Sequence, residues 1–150
     1  ALFIVLKDGH INITPAIFCD SIEIFFSVSE YFIFQLCGTI VRMDVQAEFT
    51  LDKPTRVQIY ALGEGLDGEM YDYGWIEDAA TGRTVWKMTM RNTHHAGGAR
   101  KNRVHEGAVH LDAGRYVVHY QTDGSHAFGD WNDRRPPDPQ GWGITVTMAE

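Results

Sequence analysis

The chain reads as an all-β protein, an antiparallel β-sandwich of jelly-roll-like kind, and three observations carry that expectation. Apolar residues alternate with polar ones at period two along much of the 150-residue sequence, the spacing that turns one face of a strand to a core and the other to water. Short turns bearing Gly recur between these runs. No window of about twelve residues sustains the 3.6-residue apolar period of an amphipathic helix.

Taken in order, Ala1 to Leu6 and Ile11 to Thr14 flank Lys7-Asp8-Gly9-His10, whose Asp-Gly suits a hairpin because Gly accepts positive φ. Ile22, Ile24, Phe26 and Val28 share one strand face, with Ser21, Glu23, Phe25 and Ser27 on the other; Tyr31 to Leu36 and Thr39 to Val45 continue the pattern. Val57, Ile59 and Ala61 alternate with Arg56, Gln58 and Tyr60. Tyr71 to Asp78 and Arg83 to Arg91 form strands around the turn Ala79-Ala80-Thr81-Gly82, with Trp86, Met88 and Met90 on one face. Asp112-Ala113-Gly114-Arg115 is a tight turn between Ala108–Leu111 and a strand carrying Tyr116, Val118 and Tyr120 on one side. Gly143 to Met148 closes the set.

At this length one domain is expected, spanning 1–150, with a large enough core to fold without a metal or disulfide. Composition divides it near residue 45. Residues 1–45 are apolar strands with two basic residues (Lys7, Arg42) and five acidic ones, and 46–150 form a body rich in Gly, Trp, Tyr, His and charge. The formal net charge of -7 argues against a nucleic-acid partner. Arg100-Lys101-Asn102-Arg103, the densest basic stretch, reads as a solvated loop. Ala1 to Leu6 lacks the basic n-region of a secretory signal, and because the chain does not begin with Met a processed or trimmed product is expected. The apolar run from Ile11 to Val41 is broken by Pro15, Asp20, Glu23 and Glu30, so no membrane span is expected. Cys19 and Cys37 belong to no C-x-x-C pair; they form one disulfide if their Cα atoms come within about 7 Å, or stand as two buried thiols.

Phe49-Thr50-Leu51-Asp52-Lys53-Pro54-Thr55-Arg56-Val57 and Leu111-Asp112-Ala113-Gly114-Arg115-Tyr116-Val117-Val118 resemble strand entries of the pre-peptidase C-terminal type of bacterial β-sandwich. Tyr71-Asp72-Tyr73-Gly74-Trp75-Ile76, His95-Ala96-Gly97-Gly98, Lys101-Asn102-Arg103, Asp123-Gly124-Ser125-His126, Gly129-Asp130-Trp131-Asn132 and Trp142-Gly143-Ile144-Thr145 look like an uncharacterised domain of large secreted bacterial proteins. The resemblance spans roughly residues 46 to 148 and implies a secreted β-sandwich without a known activity to transfer. Some pre-peptidase-type domains bind calcium through acidic residues near their start and help attach secreted enzymes to matrix. Here an apolar segment stands in place of that acidic start.

Among chemistry-bearing residues, the seven histidines form no compact ligand set such as H-E-x-x-H. Ser125-His126 are sequence neighbours without a G-x-S-x-G elbow, and no catalytic residues are expected. Calcium takes six to eight oxygens from loops. Two acidic stretches offer them, one from Glu64 to Asp78, within which Asp72, Glu77 and Asp78 are the candidate ligands, and one from Asp123 to Asp138. The segment from Ser125 to Trp142 is the candidate ligand site, with Trp131, Trp142, Asp130, Asn132, Asp123 and His126 offering aromatic faces with polar flanks to a sugar or peptide. The same tryptophans, beside Pro136-Pro137 and Pro139, equally suit a loop held rigid by packing.

Phe25, Phe32 and Phe34 add apolar residues to both faces of the N-terminal strands, and Ile22, Ile24 and Phe26 line the first. Strands of this composition need cover on both sides, from their own domain or from a second copy by strand exchange. The expectation is therefore a non-enzymatic extracellular protein whose partner is itself, a self-associating subunit of a fibre or filament. The alternative is a module of a secreted protein that binds carbohydrate or matrix with the help of calcium.

Overall fold

A computed structural model describes residues 2–7, 10–15, 43–127 and 130–148. Cys19, Cys37, Ile22, Ile24, Phe25, Phe26, Phe32 and Phe34, the candidates for a disulfide and for self-association, lie outside the described residues. The fold is all-β, antiparallel and sandwich-like, as its alternation predicts. Its strands are β1 (Leu2–Lys7), β2 (His10–Pro15), β3 (Met43–Leu51), β4 (Thr55–Leu66), β5 (Glu69–Asp78), β6 (Thr84–Lys87), β7 (His94–His95), β8 (Asn102–Leu111), β9 (Gly114–Thr122), β10 (His126–Ala127), β11 (Asp130–Trp131) and β12 (Gly143–Met148). Among the described residues no helix is long and apolar enough to cross a membrane.

One layer runs β1-β2-β12-β4-β8-β7 and the other β3-β9-β5-β6, all by antiparallel pairing. Inward residues of β4 and β12 (Val57, Ile59, Ala61, Ile144, Val146) belong to one buried cluster with Ile76, Tyr116, Val118 and Tyr120 of the facing layer. The Tyr120 hydroxyl donates to the Leu62 carbonyl at 2.6 Å, tying the layers with a buried bond.

Strand β5 is the joint between the layers. Its first residues pair with β4, with Asp72 opposite Glu64, and from Tyr73 onward it pairs with β9, with Tyr73 opposite Gln121. A register shift between Glu64 and Gly65 accompanies the change of partner, as expected where a bulge bends a strand out of its sheet. Asp72 thus occupies a corner where the ends of β4, β5 and β9 meet.

Two local patterns resolve differently from the plain alternation. The strand through Trp86 ends at Lys87, and Met88 is still buried. Beyond it the Asn92 carboxamide oxygen accepts from the Thr89 N–H at 2.7 Å and from its hydroxyl at 2.9 Å, side-chain bonds that compete with a ladder and close a turn. The tight turn at Asp112-Ala113 joins strands of different layers, since β8 pairs with β4 whereas β9 pairs with β3 and β5.

Candidate functional site

At this corner the alternation of β4 gives way to continuous burial from Leu62 to Gly65. Gly63 is required there, because a Cβ would strike the Asp72 carbonyl. Glu64 lies between Asp72 on one side and Asn102 on the other. Two buried carboxylates directly opposite each other repel, and the Lys101 Nζ, 2.7 Å from Glu64 Oε1, offsets one charge of the set. Glu64 Oε2 is buried and has no hydrogen-bond partner among the described residues.

Asp72 is fully buried. Its Oδ1 accepts from the Asp123 N–H at 2.8 Å, and its Oδ2 accepts from the Thr122 hydroxyl at 3.0 Å and from the Trp142 indole N–H at 3.2 Å. Asp123 follows β9 and is half-buried. Glu64, Asp72 and Asp123 each offer a carboxylate oxygen, and these lie within 4.8 Å of one another. Glu77 and Asp78, at the far end of β5, do not join this group. Glu77 accepts from the Trp75 indole N–H at 2.8 Å, and Asp78 accepts from the N–H groups of Ala80 and Thr81 in the following turn.

Burial pushes the Asp72 carboxyl up to about 7, against the opposing pull of its Asp123 and Thr122 hydrogen bonds, with the negative Asp123 and Glu64 pushing the same way. Burial raises Glu64 as well, opposed by Lys101. Groups raised above their unfolded values stabilise the fold below the ordinary carboxylate range, and that stability is lost as pH rises through the raised value. His126 is displaced downward, by burial first and by Lys101 second, so its contribution is lost on acidification below the ordinary histidine range. Above about pH 6.5 the carboxyls act alone. Stability measured by urea unfolding in chelator is therefore expected to fall by roughly 1 kcal/mol between about pH 6.5 and 8, the last part of a decline that begins in the ordinary carboxylate range. In Asp72→Asn that slope should largely vanish; an unchanged slope would place its origin elsewhere.

The segment from Asp123 to Trp142 is fastened to the corner by a polar chain and an aromatic knot. Asn102, fully buried, donates through Nδ2 to the carbonyls of Gly97 (2.8 Å) and Arg134 (3.0 Å). Its Oδ1 must then accept, and His126 Nε2 lies 2.7 Å away. His126 Nδ1 is 2.9 Å from Asn132 Oδ1, which also accepts from Lys101 Nζ at 2.6 Å. Nε2 is thus the donor to Asn102, and Nδ1 lies against the Asn132 carboxamide. Trp131, Trp142 and His126 meet edge to face, with centroids 4.9, 5.0 and 5.5 Å apart, a geometry that adds to their burial. Trp142 and His126 are completely buried, Trp131 is half-buried, and Asp130 and Asn132 are exposed. Of the candidate ligand residues, those with the largest rings thus face the interior.

A different surface is concave. An open cleft of about 450 Å³ is lined by Gly65, Leu66, Asp67, Met90, His95, Gly98, Arg100, Arg103 and Arg134. Gly98 has φ +72, and a Cβ there would meet the Arg135 carbonyl, so only glycine lets the 96–99 turn close against the Arg134 segment. Arg103 is held by the Thr93 carbonyl, to which its guanidinium donates at 2.6 Å. Arg100 pairs with Asp67 at 3.2 Å in full exposure, a contact of little energetic value. Separation in sequence hid this site, since His95, Arg100–Arg103 and Arg134 converge only after folding. The one local signal was the cluster at Arg100-Lys101-Asn102-Arg103 beside Gly97-Gly98.

No protein-family model, curated protein or solved structure matches the chain.

Proposed function

We propose that the chain is a non-enzymatic binding module of an extracellular protein, and that its cleft takes an acidic glycan. The observation that supports this is the convergence of Arg100, Arg103, Arg134 and His95 on one open cleft in a chain of net charge -7. Guanidinium forks match carboxylate and sulfate groups two bonds at a time. Leu66 and Met90 provide apolar surface among these cations, against which the C–H face of a pyranose packs. The volume falls within the usual range of small-ligand sites. His126, whose nitrogens both lie against asparagine side chains, is poorly placed to serve the neighbouring Ser125 as a base.

Calorimetric titration with a polyuronate oligosaccharide tests the reading. Binding is expected to weaken with salt and to drop at least about tenfold in Arg100→Ala/Arg134→Ala, each charged contact being worth roughly 1.5–3 kcal/mol. Equal affinity for a neutral oligosaccharide, or no loss in the double variant, would sink it.

A second reading, self-association through the N-terminal strands, draws on one feature. Among the described residues β1 pairs only with β2 and stands at the outer edge of its layer, an arrangement open to strand addition.

A further inference from the structure

We infer that Glu64, Asp72 and Asp123 bind a calcium ion at the corner where β5 passes between the layers. The inference does not depend on the glycan reading. Calcium–oxygen bonds of about 2.3–2.6 Å put the oxygens around one ion within roughly 5 Å of each other, and the three carboxylates offer oxygens within 4.8 Å. The second observation is independent of that clustering. The Glu64 side chain is only 6% exposed, yet among the described residues its Oε2 has no hydrogen-bond partner. An unpaired buried carboxylate oxygen is costly, and a bond to a cation removes that cost.

Charge points the same way. Among the described residues Lys101 is the one cation bonded within the cluster, and it lies on Glu64 Oε1, so three ionised carboxylates leave a net charge near -2. A divalent ion neutralises that charge without protonating Asp72, whose two N–H donors, from Asp123 and Trp142, suit the ionised form. The donor set is all oxygen, and both nitrogens of nearby His126 are turned to asparagines. Such a set selects a hard cation over zinc or copper. Of the hard cations, calcium tolerates an irregular site whereas magnesium demands a near-ideal octahedron. Bound there, the ion ties β4 and β5 to the segment after β9, adding to the Asp72 hydrogen bonds and to the polar chain through Asn102 and His126.

Terbium luminescence on the chelator-stripped chain tests the site, because the Trp142 indole sits on Asp72 and sensitises a lanthanide bound beside it. Excitation of tryptophan is expected to give saturable emission at one Tb³⁺ per chain, displaced by Ca²⁺ at concentrations well below those needed with Mg²⁺. Glu64→Gln and the more exposed Asp123→Asn are each expected to weaken binding by about tenfold or more, while Asp52→Asn, exposed and outside both the cluster and the cleft, leaves it unchanged. Circular dichroism establishes that each variant is folded, and Asp123→Asn alone carries the test if Glu64→Gln is not. No sensitised emission, displacement by Mg²⁺ as readily as by Ca²⁺, or an unaltered affinity in folded Asp123→Asn would overturn the proposal.

Discussion

Trp142→Ala is expected to destabilise the domain by about 3–5 kcal/mol, the range for deleting a fully buried large aromatic side chain. Trp142 has no exposed surface and combines three roles. It packs edge to face on Trp131 and His126. Its indole N–H donates to Asp72 Oδ2 at 3.2 Å. Its position immediately before β12 locks the long segment after β9 onto the core. The substitution leaves a cavity and also removes one of the donors that make buried Asp72 tolerable. For a domain of this size the melting temperature should fall by roughly 10 °C or more. Trp131→Ala, at a half-buried position, should cost clearly less. Equal and small effects for the two would contradict the interior role assigned to Trp142.

Asn102→Ala is expected to cost a comparable amount, about 3–5 kcal/mol, through unpaired polar groups rather than lost apolar burial. Three partners lose their bond at once: the carbonyls of Gly97 and Arg134 and the Nε2 of His126. Asn102→Asp should be equally harmful, because it presents a carboxylate oxygen to two carbonyls. Since Gly98 and Arg134 line the cleft, the loss should also weaken any ligand bound there, even though Asn102 is not part of its lining. Urea denaturation measures the first effect; a cost below about 1 kcal/mol would mean the network is satisfied some other way.

The fold was legible in the sequence where one strand face meets the core and the other meets water. Val57, Ile59 and Ala61 on β4, and Tyr116, Val118 and Tyr120 on β9, alternate as read and are buried as expected. Partner choice was not legible. Asp112-Ala113 is a tight turn in either case, and nothing in those residues tells a hairpin from a passage between layers. The site depends on the same kind of non-local information. Asp72 was a candidate ligand from its acidic stretch, but its companions come from β4 and from beyond β9, while Glu77 and Asp78, adjacent in sequence, lie about 20 Å along an extended strand. Glu64 between Gly63 and Gly65 was the available signal, a carboxylate where a close-packed backbone leaves no room for side chains on either side. Trp131 and Trp142 could serve a binding face or a packed loop, and only burial separates those roles.

The most direct test of the binding reading is an NMR titration of the ¹⁵N-labelled chain with an oligouronate, following both amide and arginine side-chain signals. Saturable shifts confined to Gly65, His95, Gly98, Arg100, Arg103 and Arg134 are the predicted result. Shifts centred on Asp130, Trp131 and Asn132, or no saturable shifts at all, would contradict it.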